Sequence, residues 1–547
     1  MPLPDPGKIY VLVVDDFSSF RSTMMSMLNK LGVKQIEEAG RGFEVLRWCK
    51  DRKFDLILCD YNLGTGKNGQ QLLEELRFRK IIDHHTLFVM VTAEASKDMV
   101  LSAYDCEPDD YLMKPLNLRV LEQRVTRLIQ TRDALSHVYQ LLNEDQSEEA
   151  VEELKHLVQQ RGRHTLVAQK LLGETLIRLR RLGEAEALYH EVLENRRVDW
   201  AVLGMVKVHY ARGDKKRAKQ ELRELMDESR LFLPAHDEMS HILELEEDYE
   251  ALQTNMEHLV ELSPKSILRQ RKLAQVAENN GDVLITLRAA IDAMKLGENS
   301  CHQDMGDAIL YLNAAGNGLE NHLVEDQESL LDDSRRCLEK LLNSQQLAVD
   351  QEAQAKLLMA RVHALAGQTQ AAQKLAQESV NLMKEAAGKN VGLDLAYYGY
   401  LKSVGQVQEA NQFLLSVAEQ HENDPAGREK LDKLLPEPRS EANRRRVAQL
   451  NKTGIELYKE GRHDEALEYF NRATLLFPRH VGLQLNRLQT LIAKVKALPQ
   501  SEECFNQLQE QLQRMEHLLT LDPNRAHQER FQQLRERARQ AAPGGRL

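Results

Sequence analysis

The spacing of apolar and polar positions divides the chain into two regimes. Up to about residue 115, short apolar runs rich in β-branched residues alternate with helical patterns. Ile9 to Val14, Val33 to Glu37, the run ending at Asp60, Thr86 to Val91 and Asp109 to Met113 read as five strands. Helices are predicted from Ser18 to about Leu31, from Arg41 to Lys50, over QQLLEELRFR, as a short polar helix before the fifth strand, and as a long helix beginning near Asn117. Ser18 or Ser19 can cap the first of these, and Gly32 closes it. Five strands alternating with five helices imply an α/β domain with a five-stranded, doubly wound parallel sheet. In such a sheet, functional groups collect at the C-terminal edges of the strands.

From about residue 130 the pattern is helical throughout, and a period runs through it. NKTGIELYKEGRHDEALEYFNRATLLFP places Gly454, Gly461, Ala466, Phe470, Ala473 and Pro478 where two antiparallel helices must approach and the second must end. The same offsets follow Gly213, Gly281, Gly367 and Gly405, and also Glu247, Arg180 and Asp145. Gly213, Glu247 and Gly281 are 34 residues apart. The segment resembles a tetratricopeptide repeat, which implies an all-α superhelix whose concave groove holds a peptide or helix of another protein. Leu319 to Asp333 reads as a lengthened turn, and the helix from about Asn524 as a charged cap on the stack. Expected boundaries are a first domain at 1–128, a repeat array at 129–420, a charged Pro-containing hinge at 421–446, and C-terminal hairpins with a capping helix at 447–547. Tyr210, Tyr397, Tyr398 and Tyr400 fit inter-helix packing better than a groove lining, so the partner-binding residues stay unassigned.

The helix that joins the regimes has two readings. Leu118, Leu121, Val125, Leu128, Leu135, Tyr139 and Leu142 form a heptad-like seam, interrupted at Arg132, which would favour a homodimer. Residues from about Leu128 to Leu142 also fit the first helix of the first hairpin, and this reading is favoured because the seam falls short of three uninterrupted heptads. No Gly or Pro separates Asn117 from Leu142, so one helix can belong to both domains.

Composition narrows the function classes. The 547 residues carry a formal net charge of −11, which argues against nonspecific nucleic-acid binding. The six cysteines are scattered without a CxxC pair, which argues against a disulfide framework or cysteine metal site. Neither a signal peptide nor an apolar run of about 18 residues is evident, so a cytoplasmic protein without membrane insertion is expected.

The candidate chemistry lies at the strand ends. Asp15, Asp16, Asp60, Thr92 and Lys114 each end a predicted strand or follow it closely. The topology therefore gathers three carboxylates, a hydroxyl and an ammonium into one pocket. Clustered acids repel unless a cation neutralises them, and an oxygen-rich site of this kind suits Mg²⁺. Such a pocket equips Asp60 as a nucleophile toward phosphorus.

Residues 8 to about 128 resemble the receiver domain of bacterial two-component response regulators. The resemblance implies that Asp60 accepts phosphate, that Asp15 and Asp16 complete the Mg²⁺ pocket, and that Asn62 contributes its backbone carbonyl. It further implies that Thr92 and Lys114 sense the phosphate, that Tyr111 is the aromatic switch position, and that Pro115 follows the lysine through a cis peptide. Two departures stand out. The loop Leu63-Gly64-Thr65-Gly66-Lys67-Asn68-Gly69 lacks the usual Met-Pro, and Glu107-Pro108 replaces the usual Gly-Ala. The implied partners are a histidine kinase or phosphotransfer protein and an unidentified protein held by the repeats. The protein would then be a phosphoacceptor rather than an enzyme, apart from any self-catalysed phosphorylation and dephosphorylation. A kinase-docking phosphate sink is the alternative.

Overall fold

The computed structural model describes residues 5–64, 66–83, 85–93, 108–298, 300–343, 347–385, 390–421, 424–498, 500–519 and 524–541. The chain forms two compact units, Met1–Gln270 with Ala293–Gln303, and Arg271–Asp292 with Asp304–Leu547.

The first unit opens with a sheet of β1 (Tyr10–Val14), β2 (Gln35–Ala39), β3 (Leu56–Asp60), β4 (Leu87–Thr92) and β5 (Asp110–Met113), in the order β2-β1-β3-β4-β5. Every pairing is parallel. β3 and β4 are buried along their whole lengths, as expected for central strands covered on both faces. Alternate side chains feed two cores. Leu12, Ile57, Phe88 and Met90 pack on one side with Leu72 and Leu76 of α3 (Gly69–Phe78) and with Val45 of α2 (Gly42–Asp51). Val11, Leu58, Val89 and Val91 pack on the other with Met24 and Leu28 of α1 (Ser18–Lys30), and with Leu121, Val125 and Ile129 of α4 (Leu118–Asn143). Each such fully buried side chain contributes about 1.5–3 kcal/mol.

The first helix begins as predicted but not for the predicted reason. Its N-cap is Phe17, which makes no side-chain cap; neither serine takes that position. Asp15 Oδ1 instead accepts the Phe17 backbone N–H at 2.8 Å, so the strand-end carboxylate satisfies the chain where the helix starts. The short polar helix predicted between β4 and β5 lies outside the described residues.

α4 runs without a break for 26 residues. Its first half seals the sheet, while Leu135, Val138 and Leu141 in its second half join the core of the following helices with Ala150, Leu154, Leu172 and Leu176. Arg132, at the point where the heptad seam breaks, reaches back to the sheet. Its Nη1 donates to Asp55 Oδ1 at 2.9 Å and to the His85 carbonyl at 3.1 Å. A single helix thus runs across the expected boundary at 128/129 and carries both cores, as the absence of Gly and Pro between Asn117 and Leu142 allows.

The described residues that follow form helices from Ser147–Gln159 to Arg525–Ala541. All eight turn positions read from the sequence have positive φ: Asp145, Arg180, Gly213, Glu247, Gly281, Gly367, Gly405 and Gly461. At each one the N–H bonds the carbonyl three residues back, and the next N–H bonds the carbonyl five residues before itself. Gly213 to Tyr210 with Asp214 to His209 is an example, and Gly461 to Tyr458 with Arg462 to Leu457 is another. Left-handed termination therefore satisfies the last carbonyls of each first helix and reverses the chain. The next helix then buries the residues five, nine and twelve positions on, such as Ala218, Leu222 and Leu225, or Ala466, Phe470 and Ala473. Gly454 faces the Phe470 ring so closely that a Cβ would lie 2.7 Å from it.

One turn is shorter than the sequence suggests. Helix Gln327–Leu342 begins well before Asp333, with Asp326 capping it by accepting the Ser329 N–H. Within 421–446 the chain forms helix Pro425–Asp432 and starts helix Glu441–Lys459. Asp432 ties the two by accepting from Arg439 N, Ser440 N and Asn443 Nδ2. Phe531, Leu534 and Ala538 of helix Arg525–Ala541 pack into the C-terminal core. Among the described residues, no helix is long and apolar enough to cross a membrane.

Candidate functional site

β1 and β3 end side by side, with Val14 opposite Cys59, so the residues that follow them share one edge. Asp15 is fully buried, Asp16 exposed, and Asp60 6% exposed. The three can each direct a carboxylate oxygen into one group whose members lie within 4.8 Å of one another. Lys114, one residue beyond β5, bridges two of them: its Nζ lies 2.7 Å from Asp15 Oδ2 and 3.1 Å from Asp60 Oδ1. The Lys114 backbone N–H donates to the Thr92 carbonyl at 2.8 Å, which joins the ends of β4 and β5.

Electrostatics follow from this crowding. Burial pushes the Asp60 carboxyl above its ordinary range, Asp15 and Asp16 add to the rise, and Lys114 opposes it. For Lys114 burial works against the charge, but the hydrogen bonds to Asp15 and Asp60 outweigh it and raise the ammonium's pKa. A lysine so held is cationic at neutral pH. The pocket thus gathers acidic groups where a further cation beside Lys114 would favour their charged forms.

The other predicted positions lie on β4 and β5 or in the loops that follow β3 and β5. Thr92 ends β4 and is 5% exposed, and Tyr111 on β5 is half-buried against the core that contains Met90. Asn62 is exposed in the loop after Asp60, and the Lys114–Pro115 peptide is cis.

Three contributors escaped the sequence reading. Gly69 starts α3 with its backbone against Asp60: an added Cβ would lie 2.3 Å from the Asp60 carbonyl oxygen, and its N–H donates to the Tyr61 carbonyl at 2.8 Å. The Asn68-Gly69 pair was its signal, because Asn68 caps α3 through Gln71 N and glycine admits the close approach. Phe20 lies beneath Lys114, its ring centroid 4.1 Å from Nζ. Arg21 Nη1 donates to the Asp15 carbonyl at 2.8 Å. The variant loop is anchored as well, since Lys67 pairs with Glu75, a buried residue of α3 that also pairs with Arg79. Elsewhere in this unit, Glu74, Cys301 and His302 also bring three candidate ligand atoms within 4.8 Å, a grouping that cysteine spacing could not reveal.

A response regulator receiver domain family matches residues 11–126. Over 120 residues the chain is 31% identical to the chemotaxis protein CheY of Pseudomonas aeruginosa, an alignment covering 22% of this chain and 95% of that protein. The chain belongs to the response regulator family. A match of 29% identity over 120 residues links the same receiver domain to the chemotaxis protein CheY-3 of Vibrio cholerae, covering 22% of this chain and 91% of that protein. Among solved structures, a CheY-like response regulator receiver domain protein from Methanospirillum hungatei is 26% identical, with a TM-score of 0.21, covering 23% of this chain and 96% of that one. The receiver domain thus accounts for β1 to the first half of α4, and the long helical region follows it in the same chain.

Proposed function

We propose that this response regulator accepts a phosphoryl group on Asp60 from a phosphohistidine of a histidine kinase or phosphotransfer protein, and that its helical region binds a partner protein under the control of that modification. The grouping of Asp15, Asp16 and Asp60 around Lys114 carries the reading. An Asp60 carboxylate oxygen forms the new bond to phosphorus as the phosphorus–nitrogen bond of the donor breaks. The electron pair of that bond leaves on the imidazole nitrogen.

Three close carboxylates, with the Asn62 backbone carbonyl nearby in sequence, form an all-oxygen donor set that fits Mg²⁺. Asp15, Asp16, Asp60 and the Asn62 carbonyl would hold it. When bound, the ion offsets negative charge on the transferring phosphoryl oxygens. Lys114 supplies a second, fixed positive charge, and the Thr92 hydroxyl bonds the phosphorylated product, with Tyr111 responding on the adjacent strand. Pro115 shapes the chain just after Lys114.

For the helical region, eight left-handed turns support a tetratricopeptide-type array. From Asp145 to Gly281 they are spaced by 33 to 35 residues, close to the 34-residue repeat of that architecture. The domain limits that fit this reading are a receiver at 1–128 and repeats thereafter, with 421–446 joining two sub-arrays.

The test is to incubate the full chain with acetyl phosphate and Mg²⁺ and to weigh the intact protein. One phosphoryl group is expected on the wild type, with none on Asp60→Asn and none when the metal is chelated. A label retained by Asp60→Asn would exclude this acceptor.

A further inference from the structure

A cavity of about 560 Å³ opens within the second compact unit. Its wall includes helices Met305–Glu320, Val349–Leu365 and Val391–Ser403, together with Glu278, Lys430, Lys433 and Arg514. The whole chain carries a net charge of −11, yet six basic and only four acidic side chains line this cavity.

The acids are largely committed. Asp307 takes Arg271 at 2.8 Å, and Asp304 stands 4.0 Å from the same arginine. Glu320 is shared by Arg361 and Lys402, which overcome its burial and hold its carboxyl at about 2. Glu278 accepts from Asn313 at 3.2 Å. No ion pair reaches Lys430, Lys433 or Arg514 among the described residues. Burial pushes the Lys433 ammonium and the Arg514 guanidinium below their ordinary ranges, with Glu278 opposing at Lys433 and Glu320 at Arg514. An anion brought among them would relieve that cost.

Arg361 shows that the wall is built around a guanidinium. It is 8% exposed and fits because two neighbouring helices carry glycine beside it. A Cβ on Gly316 would lie 3.2 Å from the guanidinium, and one on Gly399 would lie 3.3 Å from Cδ. Its Nη2 donates to Asn317 and Glu320, while the buried Nε has no acceptor.

We propose that this cavity binds an acidic, extended peptide segment of a partner protein. Between its charges the wall carries the amides of Gln275, Asn279, Asn313 and Asn321. Each offers both a donor and an acceptor, matching a peptide group, whereas a free phosphate at neutral pH chiefly accepts. A nucleic acid fits less well, because Tyr398 is the one aromatic among the described lining residues on which a base could stack. The assignment rests on the partner-binding reading above and is independent of the chemistry at Asp60.

Fluorescence anisotropy with the full chain tests it, using a labelled decapeptide of alternating Glu and Ser, its Gln–Ser counterpart, inorganic phosphate and a short RNA as competitors, and the variant Lys433→Gln/Arg514→Gln. Circular dichroism monitors the fold. The Glu peptide is expected to bind, to weaken with added salt, and to lose at least about tenfold in affinity in the double variant, with little binding of the Gln peptide. Equal binding of both peptides, or unchanged affinity in the double variant, would overturn the cavity assignment while leaving partner binding elsewhere on the helices intact. Absence of Glu-peptide binding, or its displacement by phosphate or RNA at lower concentration than by unlabelled peptide, would also overturn it.

Discussion

At Asp60, burial and the neighbouring Asp15 and Asp16 carboxylates all oppose ionisation, while Lys114 favours it. Its carboxyl is buried beside Asp15, and its raised pKa means that the folded state favours the protonated form. The associated stability is fully present below the unfolded value, near 3.8, and is lost as pH rises through the higher folded value. Asp60→Asn escapes that loss. In metal-free buffer its thermal midpoint should therefore exceed that of the wild type at neutral pH, with the gap narrowing in acid. Added Mg²⁺ should raise the wild-type midpoint and leave the variant almost unmoved. A variant less stable than the wild type at neutral pH would show that Lys114 already compensates for the crowding. The meeting of Asp15, Asp16, Asp60 and Lys114 was legible because strand ends in a parallel sheet converge. Phe20 and Gly69 were not, because a ring beneath an ammonium and a backbone in contact with Asp60 follow from helix placement, which no local pattern encodes.

At the scale of elements, the helical hairpins depend on left-handed turns. Gly213 and Gly281 both have positive φ, but their surroundings differ: a Cβ at Gly213 meets nothing within 4 Å, whereas at Gly281 it would lie 2.9 Å from the Arg472 carbonyl oxygen. Gly213→Ala should cost about 1–2 kcal/mol, the strain of a left-handed non-glycine residue. Gly281→Ala should cost more, by up to about 1–3 kcal/mol of crowding. Urea unfolding of the two variants checks the order, and equal losses would mean that the contact relaxes freely. The turn frame was readable even at Asp145, Arg180 and Glu247, which carry no glycine, because the buried positions that follow repeat its offsets. The contact of Gly281 with Arg472 and the cavity in the same unit were not readable. Both arise from packing between segments nearly two hundred residues apart, as in the Arg472–Asp282 ion pair.

For the molecule as a whole, α4 matters most, since the receiver core and the first hairpin core are built on one helix. Arg132 fastens its midpoint to the sheet through Asp55 and His85. We propose that a change at Asp60 passes out of the receiver along this helix as a rigid-body shift. Phosphorylation should alter hydrogen exchange in the hairpins between residues 147 and 262. Asp133→Pro, an exposed substitution that removes a helix hydrogen bond in the middle of α4, should leave labelling at Asp60 intact but abolish that distant response. Persistence of the response in the variant would refute transmission through the helix. The central claim remains the acceptor itself. Borohydride reduction of the full chain after treatment with acetyl phosphate and Mg²⁺, followed by peptide mapping, tests it most directly. An aspartyl phosphate at Asp60 would be recovered as homoserine at position 60 and nowhere else. Homoserine at Asp15 or Asp16, or none at all, would contradict the account.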